Sequence, residues 1–350
     1  MLVVGAGAIA QRIHLPYVVT DPRVGKVLVA DRDRDAVDRS VEKFGVEAYD
    51  GDLASSGADL AIICTPPRSH APLILEALAA GMHVVCEKPL VTSPRAAAEI
   101  EHISRRVDRQ VFACYTNRFR DDVRRLRRAI REGMLGHVTE VTATWSRRSG
   151  VPGTTGGLES GVLWDLGAHL VDLALWCTGW SGRAVALATG TRPDPDAGSL
   201  AAGWYQGDDT VGHRPEMSYQ AINALAQVGH GTIRIRASWH DVVAADLVTV
   251  RVEGSEGSAE LRTVFGFSPA RQTVTGPSLR VLDLRHGWRD LVPDQSREPT
   301  EYHRQLDEAL CENPTDDLRA AVRSVALCDA FARSLDEGGA ATVDVPEENP

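Results

Sequence analysis

Short apolar runs alternate with amphipathic, helix-like segments over the first third of the chain. The apolar runs are LVV at 2–4, VLVA at 27–30, LAIIC at 60–64, HVVC at 83–86 and VFACY at 111–115. Strands that are apolar throughout and joined by helices are typical of a parallel sheet with helices on both faces. The pattern therefore predicts a doubly wound α/β domain over residues 1–117.

Beyond residue 117 the hydrophobic pattern changes to an alternation with period two. It occurs in VTEVTATW at 138–145, GTIRIRASW at 231–239, LVTVRVEG at 247–254 and SAELRTV at 258–264. Such alternation predicts strands with one face against a core. Helical patterns at 165–177, 301–311 and 316–335 accompany them. We predict a second, α+β domain over 118–350, with an open, largely antiparallel sheet and a C-terminal helix long enough to pack back on the first domain.

Two segments stand apart from these patterns. Residues 191–217 are rich in Gly, Pro and Asp, and we predict a loop or insertion there. The strongly basic stretch 118–132 could contact phosphate or nucleic acid. However, Val123, Leu126 and Ile130 recur at helical spacing, so we prefer an amphipathic helix with a solvated arginine face.

The composition is that of a globular protein of about two domains. Among 350 residues, 43% are hydrophobic and 25% charged, and no run is long and apolar enough to cross a bilayer. The formal net charge of −10 argues against nucleic acid as a partner. The opening MLVVGAGAIA lacks the basic region of a secretory signal, so we expect a cytoplasmic protein. The six scattered cysteines are interpreted as reduced core thiols, with neither a disulfide framework nor a metal site.

A glycine-rich turn, residues 5–10 (GAGAIA), follows the first predicted strand. Gly5 permits a tight turn, Gly7 lets the backbone approach a pyrophosphate, and Ala10, in place of the usual third glycine, allows close helix packing. Asp31 follows 21 residues after Ala10, at the end of the second strand, where its carboxylate can accept hydrogen bonds from ribose hydroxyls. This favours NAD. Arg32 and Arg34 lie just beyond and could instead meet a 2′-phosphate, which leaves NADP open.

Two further segments follow strands whose carboxyl ends face the ligand crevice of an open α/β sheet. Thr65 and Pro66 are placed to line a cofactor, and His70, in the first turn of the next helix, is either a ligand contact or a capping residue. Glu87-Lys88-Pro89 follows HVVC. Lys88 is one of three lysines among 38 basic residues, which is suggestive although chance could explain it. Its ammonium can donate to a substrate hydroxyl or alkoxide.

The segment WDLGAHLVD at 164–172 holds a carboxylate and an imidazole at helical spacing. Asp165 and His169 are four residues apart, so we expect them to share one helical face, with Asp172 three residues beyond. A carboxylate beside an imidazole fixes its tautomer and stabilises its charged form, which suits a general base. Taken alone, a pair with this spacing is more often structural than catalytic.

Aromatic and basic residues near this pair are candidates for substrate binding. Arg147 and Arg148 precede the helix and could clamp a phosphate or carboxylate. Trp145 or Trp164 could stack on the face of a sugar. Surface arginines and core tryptophans explain the same residues at least as well.

Together these segments resemble the Gfo/Idh/MocA oxidoreductase family, which includes inositol dehydrogenases and glucose-fructose oxidoreductases. The resemblance is carried by GAGAIA, by TPP with His70, by AGMHVVCEKPL at 80–90, by GVLWDLGAHLVDLALWCTG at 161–179 and by VEGSEGSAELR at 252–262. It extends from residue 1 to about residue 340. It implies a Rossmann domain followed by a domain whose open sheet usually forms the oligomer interface, so we expect a homodimer or homotetramer.

The resemblance also implies roles for individual residues. Lys88, Asp165 and His169 match the catalytic trio, and Glu87-Lys88-Pro89 is expected to contain a cis proline that aims Lys88 at the substrate. The expected cofactor contacts are Gly5, Gly7, Ala8, Ile9, Asp31, Arg32, Thr65, Pro66, His70, Glu87 and Asn117. Arg32 is included because of its place next to Asp31, and not through the resemblance. The candidate substrate contacts are Lys88, Arg118, Arg147, Trp164 and His169.

These assignments predict an NAD(P)-dependent dehydrogenase that interconverts a secondary alcohol and a ketone on a sugar, cyclitol or sugar derivative. His169 would remove the hydroxyl proton, Asp165 would hold and polarise His169, and Lys88 would stabilise the developing alkoxide as hydride leaves for nicotinamide. Two alternatives share the fold: a redox-neutral glycosidase that uses NAD, and a cofactor-sensing regulator. The intact lysine, aspartate and histidine argue against a purely binding role.

Overall fold

The computed structural model describes residues 1–148, 161–192, 219–266, 278–284, 287–292, 300–311 and 318–348. The chain divides into two compact units, Met1–Thr116 with Glu301–Val325 and Asn117–Thr300 with Ala326–Pro350. A single cut at 117/118 differs from this division, because residues 301–325 belong to the first unit. The loop predicted over 191–217 lies, from residue 193 onward, outside the described residues.

Strands and helices are numbered here in chain order. The strands are β1 Leu2–Val4, β2 Leu28–Ala30, β3 Glu47–Ala48, β4 Leu60–Ile63, β5 His83–Cys86, β6 Val111–Ala113, β7 Val138–Ser146, β8 Gly182–Thr191, β9 Ala221–Val228, β10 Gly231–Ser238, β11 Leu247–Gly254, β12 Gly257–Thr263, β13 Leu279–Asp283, β14 Gly287–Val292 and β15 Ala341–Val345. The α-helices are α1 Leu15–Val18, α2 Arg34–Phe44, α3 His70–Ala79, α4 Pro94–Val107, α5 Asp121–Arg131, α6 Ala168–Thr178, α7 Glu301–Ala309 and α8 Leu318–Glu337. Two π-helical turns, Ala10–His14 and Leu163–Gly167, precede α1 and α6.

The first unit is built on a six-stranded sheet in the order β3-β2-β1-β4-β5-β6. Every pairing in it is parallel. Its central strands are buried except at the first residues of β4 and β5, as their apolar sequences predicted. The strand order reverses between β1 and β4, and the carboxyl ends at such a reversal form the ligand crevice of α/β proteins. The Rossmann prediction is confirmed.

Side-chain caps and left-handed residues set the ends of the longer helices in this unit. The carboxylate of Asp33 accepts a hydrogen bond from the Asp35 amide and starts α2, which ends at Gly45 with φ of 69°. Ser93 accepts in the same way from the Ala96 amide at the start of α4. Such caps satisfy amides that have no partner within the helix, and glycine adopts positive φ without strain.

The second unit contains a nine-stranded sheet in the order β14-β13-β12-β11-β7-β10-β9-β8-β15. Among the described pairings, β7 with β10 is parallel and the others are antiparallel. Helix α6 packs against β7 and β10 on one face. The opposite face leaves Val185, Leu187 and Leu225 at 46%, 45% and 38% exposure. The predicted open, largely antiparallel sheet is therefore confirmed.

Strands β8, β9, β13, β14 and β15 have no counterpart among the strands predicted for the second domain, and β8 illustrates the reason. Its buried positions are Ala184, Ala186 and Ala188, so its alternation carries little hydrophobic contrast. The hydroxyl of Ser334 on α8 accepts a hydrogen bond from the Ala188 amide at 2.9 Å. Small side chains on this strand suit so close an approach of the helix.

The basic segment forms helix α5, in agreement with the amphipathic interpretation. Val123, Leu126 and Ala129 are buried, while Ile130 is only partly covered, so Ala129 rather than Ile130 completes the apolar stripe. Arg124, Arg125 and Arg128 are exposed.

The six cysteines are free, and five of them are buried as expected. The prediction of core thiols is wrong for Cys311, which is exposed two residues after α7 ends. In the parts of the chain that the structure describes, no helix has the length and apolar character that a membrane crossing requires.

Candidate active site

The two glycines of the turn after β1 serve different purposes. Gly5 has φ of 96°, and a Cβ there would lie 2.8 Å from the carbonyl carbon of Cys64. Only glycine fits, because the turn packs directly on the backbone that follows β4. Gly7 is exposed, and a Cβ there would meet no atom of the described residues within 4 Å. The space beside Gly7 is therefore open to a ligand, as a pyrophosphate requires.

The carboxylate of Asp31 is held at this turn by two backbone amides. Ala6 donates to Oδ2 at 2.6 Å and Asp33 donates to Oδ1 at 2.9 Å. These bonds fix the carboxylate at the carboxyl end of β2, where the sequence analysis expects a ribose contact. Arg32 is exposed, and Arg34 forms an ion pair with Asp50 at 3.3 Å.

His70 is fully buried and connects two of the predicted segments. One ring nitrogen, Nδ1, lies 2.9 Å from the carbonyl oxygen of Pro89, and the other, Nε2, lies 2.7 Å from that of Thr65. Thr65 is itself linked to Ser69, whose hydroxyl donates to Oγ1 of Thr65 at 2.8 Å. Both ring nitrogens of His70 thus lie within hydrogen-bond distance of backbone carbonyl oxygens. His70 connects the segments at Thr65 and Pro89, whereas the sequence suggested a ligand contact or a helix cap.

The Lys88-Pro89 peptide bond is cis, as the resemblance implied. The preceding Glu87 accepts a hydrogen bond from Nε2 of His14 at 2.8 Å, and the amide of Lys88 donates to its other oxygen at 3.3 Å. His14 is fully buried, and its Nδ1 has no hydrogen-bond partner among the residues that the structure describes. The sequence analysis did not identify His14, although it lies only four residues beyond Ala10.

A third group lies beside this pair. Among the described residues, His14, Glu87 and Cys114 form the one His/Cys/Asp/Glu group whose potential ligand atoms all lie within 4.8 Å of one another. The sequence analysis predicted no metal site. The hydrogen bond between His14 and Glu87 already accounts for their close approach.

In the second unit, the helix expected over 165–177 begins differently. Residues Leu163–Gly167 form a π-helical turn, closed by a hydrogen bond from the Ala168 amide to the Leu163 carbonyl, and α6 starts only at Ala168. The regular α-helix expected from residue 165 is therefore wrong at its start, because Asp165 lies in a turn with more residues per turn, while the expected placement of Asp165 beside His169 stays a prediction. Such turns are frequent at functional sites.

Two side chains from neighbouring strand ends bind the Asp165 carboxylate. Nε1 of Trp239 donates to Oδ2 at 2.8 Å, and Nη1 of Arg147 donates to the same oxygen at 3.3 Å. Arg147 was a predicted substrate contact, but it is buried and bound to Asp165. Trp239 was not identified at all, since nothing in its sequence context links it to Asp165.

His169 is buried and packs on an aromatic ring. Its ring centroid lies 5.6 Å from that of Trp145, with an angle of 42° between the planes. Trp145 also contacts Phe265 edge-on at 5.4 Å, and the Arg147 guanidinium lies 5.5 Å from its ring. The candidate base, the aromatic residue and the guanidinium thus form one cluster at the end of β7.

The remaining predicted contacts of this unit are buried as well. Arg118 is 2% exposed and forms a bidentate ion pair with Asp172, with Nε to Oδ2 at 2.8 Å. Trp164 is 9% exposed. Asn117 is buried, and within the described parts of the chain its amide nitrogen has no hydrogen-bond partner. An unpaired buried donor is costly, so Asn117 fits a residue that binds a ligand acceptor.

Models of one protein family match most of this chain. Residues 1–115 match the model described as an oxidoreductase family with an NAD-binding Rossmann fold, and residues 123–260 match the GFO/IDH/MocA C-terminal domain. The first match spans the glycine turn, Asp31 and Lys88. The second spans Asp165 and His169.

Curated relatives include sugar-metabolising oxidoreductases. A protein of Amycolatopsis mediterranei, provisionally described as a UDP-kanosamine synthase oxidoreductase subunit, is 29% identical over 317 residues, covering 87% of this chain and 86% of that protein. D-glucoside 3-dehydrogenase of Escherichia coli is 33% identical over 187 residues, or 51% of this chain and 53% of that enzyme.

Solved structures share the whole fold. An oxidoreductase domain protein from Kribbella flavida has a TM-score of 0.79 at 19% identity, with 99% of this chain and 98% of that chain covered. At this identity the likeness shows the two-domain fold and nothing further.

Proposed function

The chain belongs to the GFO/IDH/MocA family of oxidoreductases, and from this premise we propose that it is an NAD-dependent dehydrogenase acting on a secondary alcohol of a sugar, cyclitol or sugar derivative. The observation that carries the proposal is the combination of a dinucleotide-type glycine turn, with Asp31 held beside it, and the cluster of Asp165, His169 and the side chains that bind them in the second unit. The similarity to a D-glucoside 3-dehydrogenase supports a sugar as the class of substrate.

The residues of the first unit fit a dinucleotide. Gly7 leaves open space for a pyrophosphate, and the fixed carboxylate of Asp31 can accept two ribose hydroxyls. A 2′-phosphate would meet the negative charge of Asp31, so we propose NAD rather than NADP. Arg32 is exposed to solvent, and among the described residues no contact of its guanidinium with the Asp31 carboxylate is observed. Arg32 therefore does not offset the charge of Asp31.

We propose the following roles for the residues in the reaction. His169 takes the proton of the substrate hydroxyl, and Asp165 stabilises the imidazolium that forms. The ammonium of Lys88 donates to the substrate oxygen and stabilises its developing negative charge. Bound nicotinamide supplies the acceptor for the hydride that leaves the same carbon. The alcohol thereby loses one hydride and one proton and becomes a ketone.

The substrate contacts are reassigned in this proposal. Arg118 and Arg147 are buried and bonded to Asp172 and Asp165, so we place neither of them on the substrate. Trp164 is buried to a similar extent. Lys88 and His169 remain the proposed contacts to the reacting hydroxyl.

The test is formation of reduced nicotinamide at 340 nm across sugars, cyclitols, glycosides and nucleotide sugars, with NAD and NADP in parallel. We expect turnover with NAD for one substrate class, and a fall of about 10²- to 10⁴-fold in Lys88→Met, because the alkoxide loses its cation. Lys43→Met, at an exposed position on α2, is the matched control and should retain full activity. Substrate hydrolysis without net reduction of NAD would instead identify a redox-neutral glycosidase.

We also propose that the open face of the nine-stranded sheet mediates homo-oligomerisation. Leu187 and Leu225 face each other across β8 and β9, and Val185 lies on the same face of β8. Exposed apolar side chains grouped on one sheet face are typical of an interface. Light scattering should report a dimer or tetramer for the wild type and a smaller species for Leu225→Arg. A wild-type monomer would contradict the proposal.

A further inference from the structure

The Asp165 carboxylate is held by a pair of side chains whose arrangement points to a role beyond packing. Trp239 is fully buried, Arg147 is 6% exposed, and the Asp165 side chain is 14% exposed. Both donors converge on a single oxygen, Oδ2. A buried carboxylate needs such donors to remain charged, since burial without hydrogen bonds disfavours the ionised form.

The parallel pairing of β7 and β10 brings these two donors together. Ser146 pairs with Ser238 in the register of the two strands, so the residues that follow, Arg147 and Trp239, leave the sheet side by side. The backbone then locks both. The Arg147 amide donates to the Ser238 carbonyl at 3.0 Å, and the Trp239 amide donates to the Gln220 carbonyl at 2.9 Å.

The same strand end also supports the candidate base. Trp145, two residues before Arg147, packs on the imidazole of His169. One strand end therefore contacts both members of the aspartate-histidine pair, through an aromatic face on the histidine and a charged donor on the aspartate. The π-helical turn places Asp165 over these strand ends.

We propose that Arg147 and Trp239 are positioning residues, which hold the Asp165 carboxylate through Oδ2 and so fix its orientation in the site. The inference rests on the proposed function, because the role of the clamp is defined by the proton transfer at His169. Without either donor, the carboxylate can rotate away and the imidazolium loses its oriented counter-ion. Neither residue is assigned a contact with substrate or cofactor.

The first measurement separates kcat from KM. Trp239→Phe removes the N–H donor and keeps a smaller aromatic ring at this position, so kcat should fall about tenfold with KM and the Kd for NAD unchanged. Arg147→Met should lower kcat further, and Arg147→Lys should restore part of the loss because it returns a cation. Trp288→Phe and Arg128→Met, at exposed positions, are the matched controls. Equal losses in Arg147→Lys and Arg147→Met, or a rise in KM alone, would overturn the proposal.

A double-mutant cycle shows whether Trp239 acts through the carboxylate. In the Asp165→Asn background, Trp239→Phe should change kcat by less than about twofold, because the group that it orients has lost its charge. An undiminished tenfold effect in that background would mean that Trp239 acts elsewhere, and the positioning role would be abandoned.

An NMR measurement tests the hydrogen bond from Trp239 to Asp165 without any knowledge of the substrate. In ¹⁵N-labelled protein, the indole N–H resonance that disappears in Trp239→Phe should lie downfield in wild type and move upfield in Asp165→Asn, with faster exchange. An unshifted resonance would refute the hydrogen bond. An intact shift without turnover on any substrate would refute the proposed function, and with it the catalytic meaning of the clamp, while the bond itself would stand.

Discussion

The candidate sites of the two units are held by different kinds of contact. In the first unit, Asp31 is bonded by the amides of Ala6 and Asp33, and Gly5 packs on the backbone beside Cys64. In the second unit, Asp165 is bonded by the side chains of Arg147 and Trp239, 18 and 74 residues away along the chain.

This difference decides which changes each site tolerates. Backbone donors are present whatever the side chain, so a site built on them depends on turn geometry and on the absence of a Cβ. Side-chain donors depend on residue type and on the pairing of distant strands. The first site should therefore be most sensitive to changes in glycine, and the second to removal of single polar atoms.

The largest expected effect is in the second unit, for Asp165→Asn. The variant keeps the shape of the side chain but removes the charge that stabilises the imidazolium of His169, so kcat should fall about 10²- to 10⁴-fold. The Kd for NAD, measured by quenching of intrinsic fluorescence, should stay within about twofold. A large loss of NAD affinity would show that the two sites are not separable in this way.

The next effect concerns the two glycines of the first site. Gly5→Ala should lower the free energy of unfolding by about 2–4 kcal/mol, because its backbone has positive φ and its Cβ would overlap the Cys64 carbonyl. Gly7→Ala should leave the stability of the cofactor-free protein unchanged and weaken NAD binding. Urea unfolding with and without NAD measures both. Equal destabilisation by the two variants would contradict the separate purposes assigned to the glycines.

A smaller effect is expected for Asp31→Asn. Asparagine can accept from the ribose but carries no charge to repel a 2′-phosphate, so the ratio of the Kd values for NADP and NAD should narrow by about tenfold. Asp35→Asn, on the exposed first turn of α2, is the control. An unchanged ratio would place cofactor discrimination elsewhere, with Arg32 as the next residue to vary.

The smallest expected effect concerns the buried thiols, which change the free energy of unfolding only above neutral pH. Burial raises the pKa of Cys64, Cys86 and Cys114, with the negative charge of Glu87 adding to it, and raises the pKa of Cys177 to about 12. Their pKa values are higher folded than unfolded, so above pH about 9 the unfolded chain releases protons that the folded chain keeps. Stability should therefore fall as pH rises through that range. Urea unfolding of wild type and Cys177→Ala should be compared from about pH 8 to about pH 10, a range around the pKa of an unfolded thiol. The free energy of unfolding should fall less steeply with pH in the variant, and parallel curves would contradict the assignment.

Features carried by local pattern were predicted correctly from the sequence. The five apolar runs of the first third became β1, β2, β4, β5 and β6, because fully buried parallel strands need uninterrupted apolar residues. The glycine turn and Asp31 were identified because their spacing follows from a single βαβ unit. Strand β8 was not predicted, since the alanines at its buried positions differ little in hydrophobicity from the residues at its exposed positions.

Contacts between residues far apart in the chain were not predicted from the sequence. Arg118 and Arg147 were expected on a substrate, yet each forms an ion pair with a buried aspartate. An arginine that meets a carboxylate of the chain and one that meets a carboxylate of a ligand have the same local sequence signature. The helix at Asp165 was expected to be regular, because a π-helical turn has no propensity signal of its own.

The sequence by itself determined the fold class, since the fold class is encoded by residue type and short spacing, whereas the candidate cofactor and catalytic residues stay predictions that rest on spacing and on the family resemblance. Only the tertiary structure decided what holds those residues. The bridge of His70 between Thr65 and Pro89, the bond of His14 to Glu87 and the clamp on Asp165 join positions far apart in the chain. Such bonds depend on which strand ends lie side by side, and in the second sheet one parallel pairing among antiparallel ones sets that arrangement.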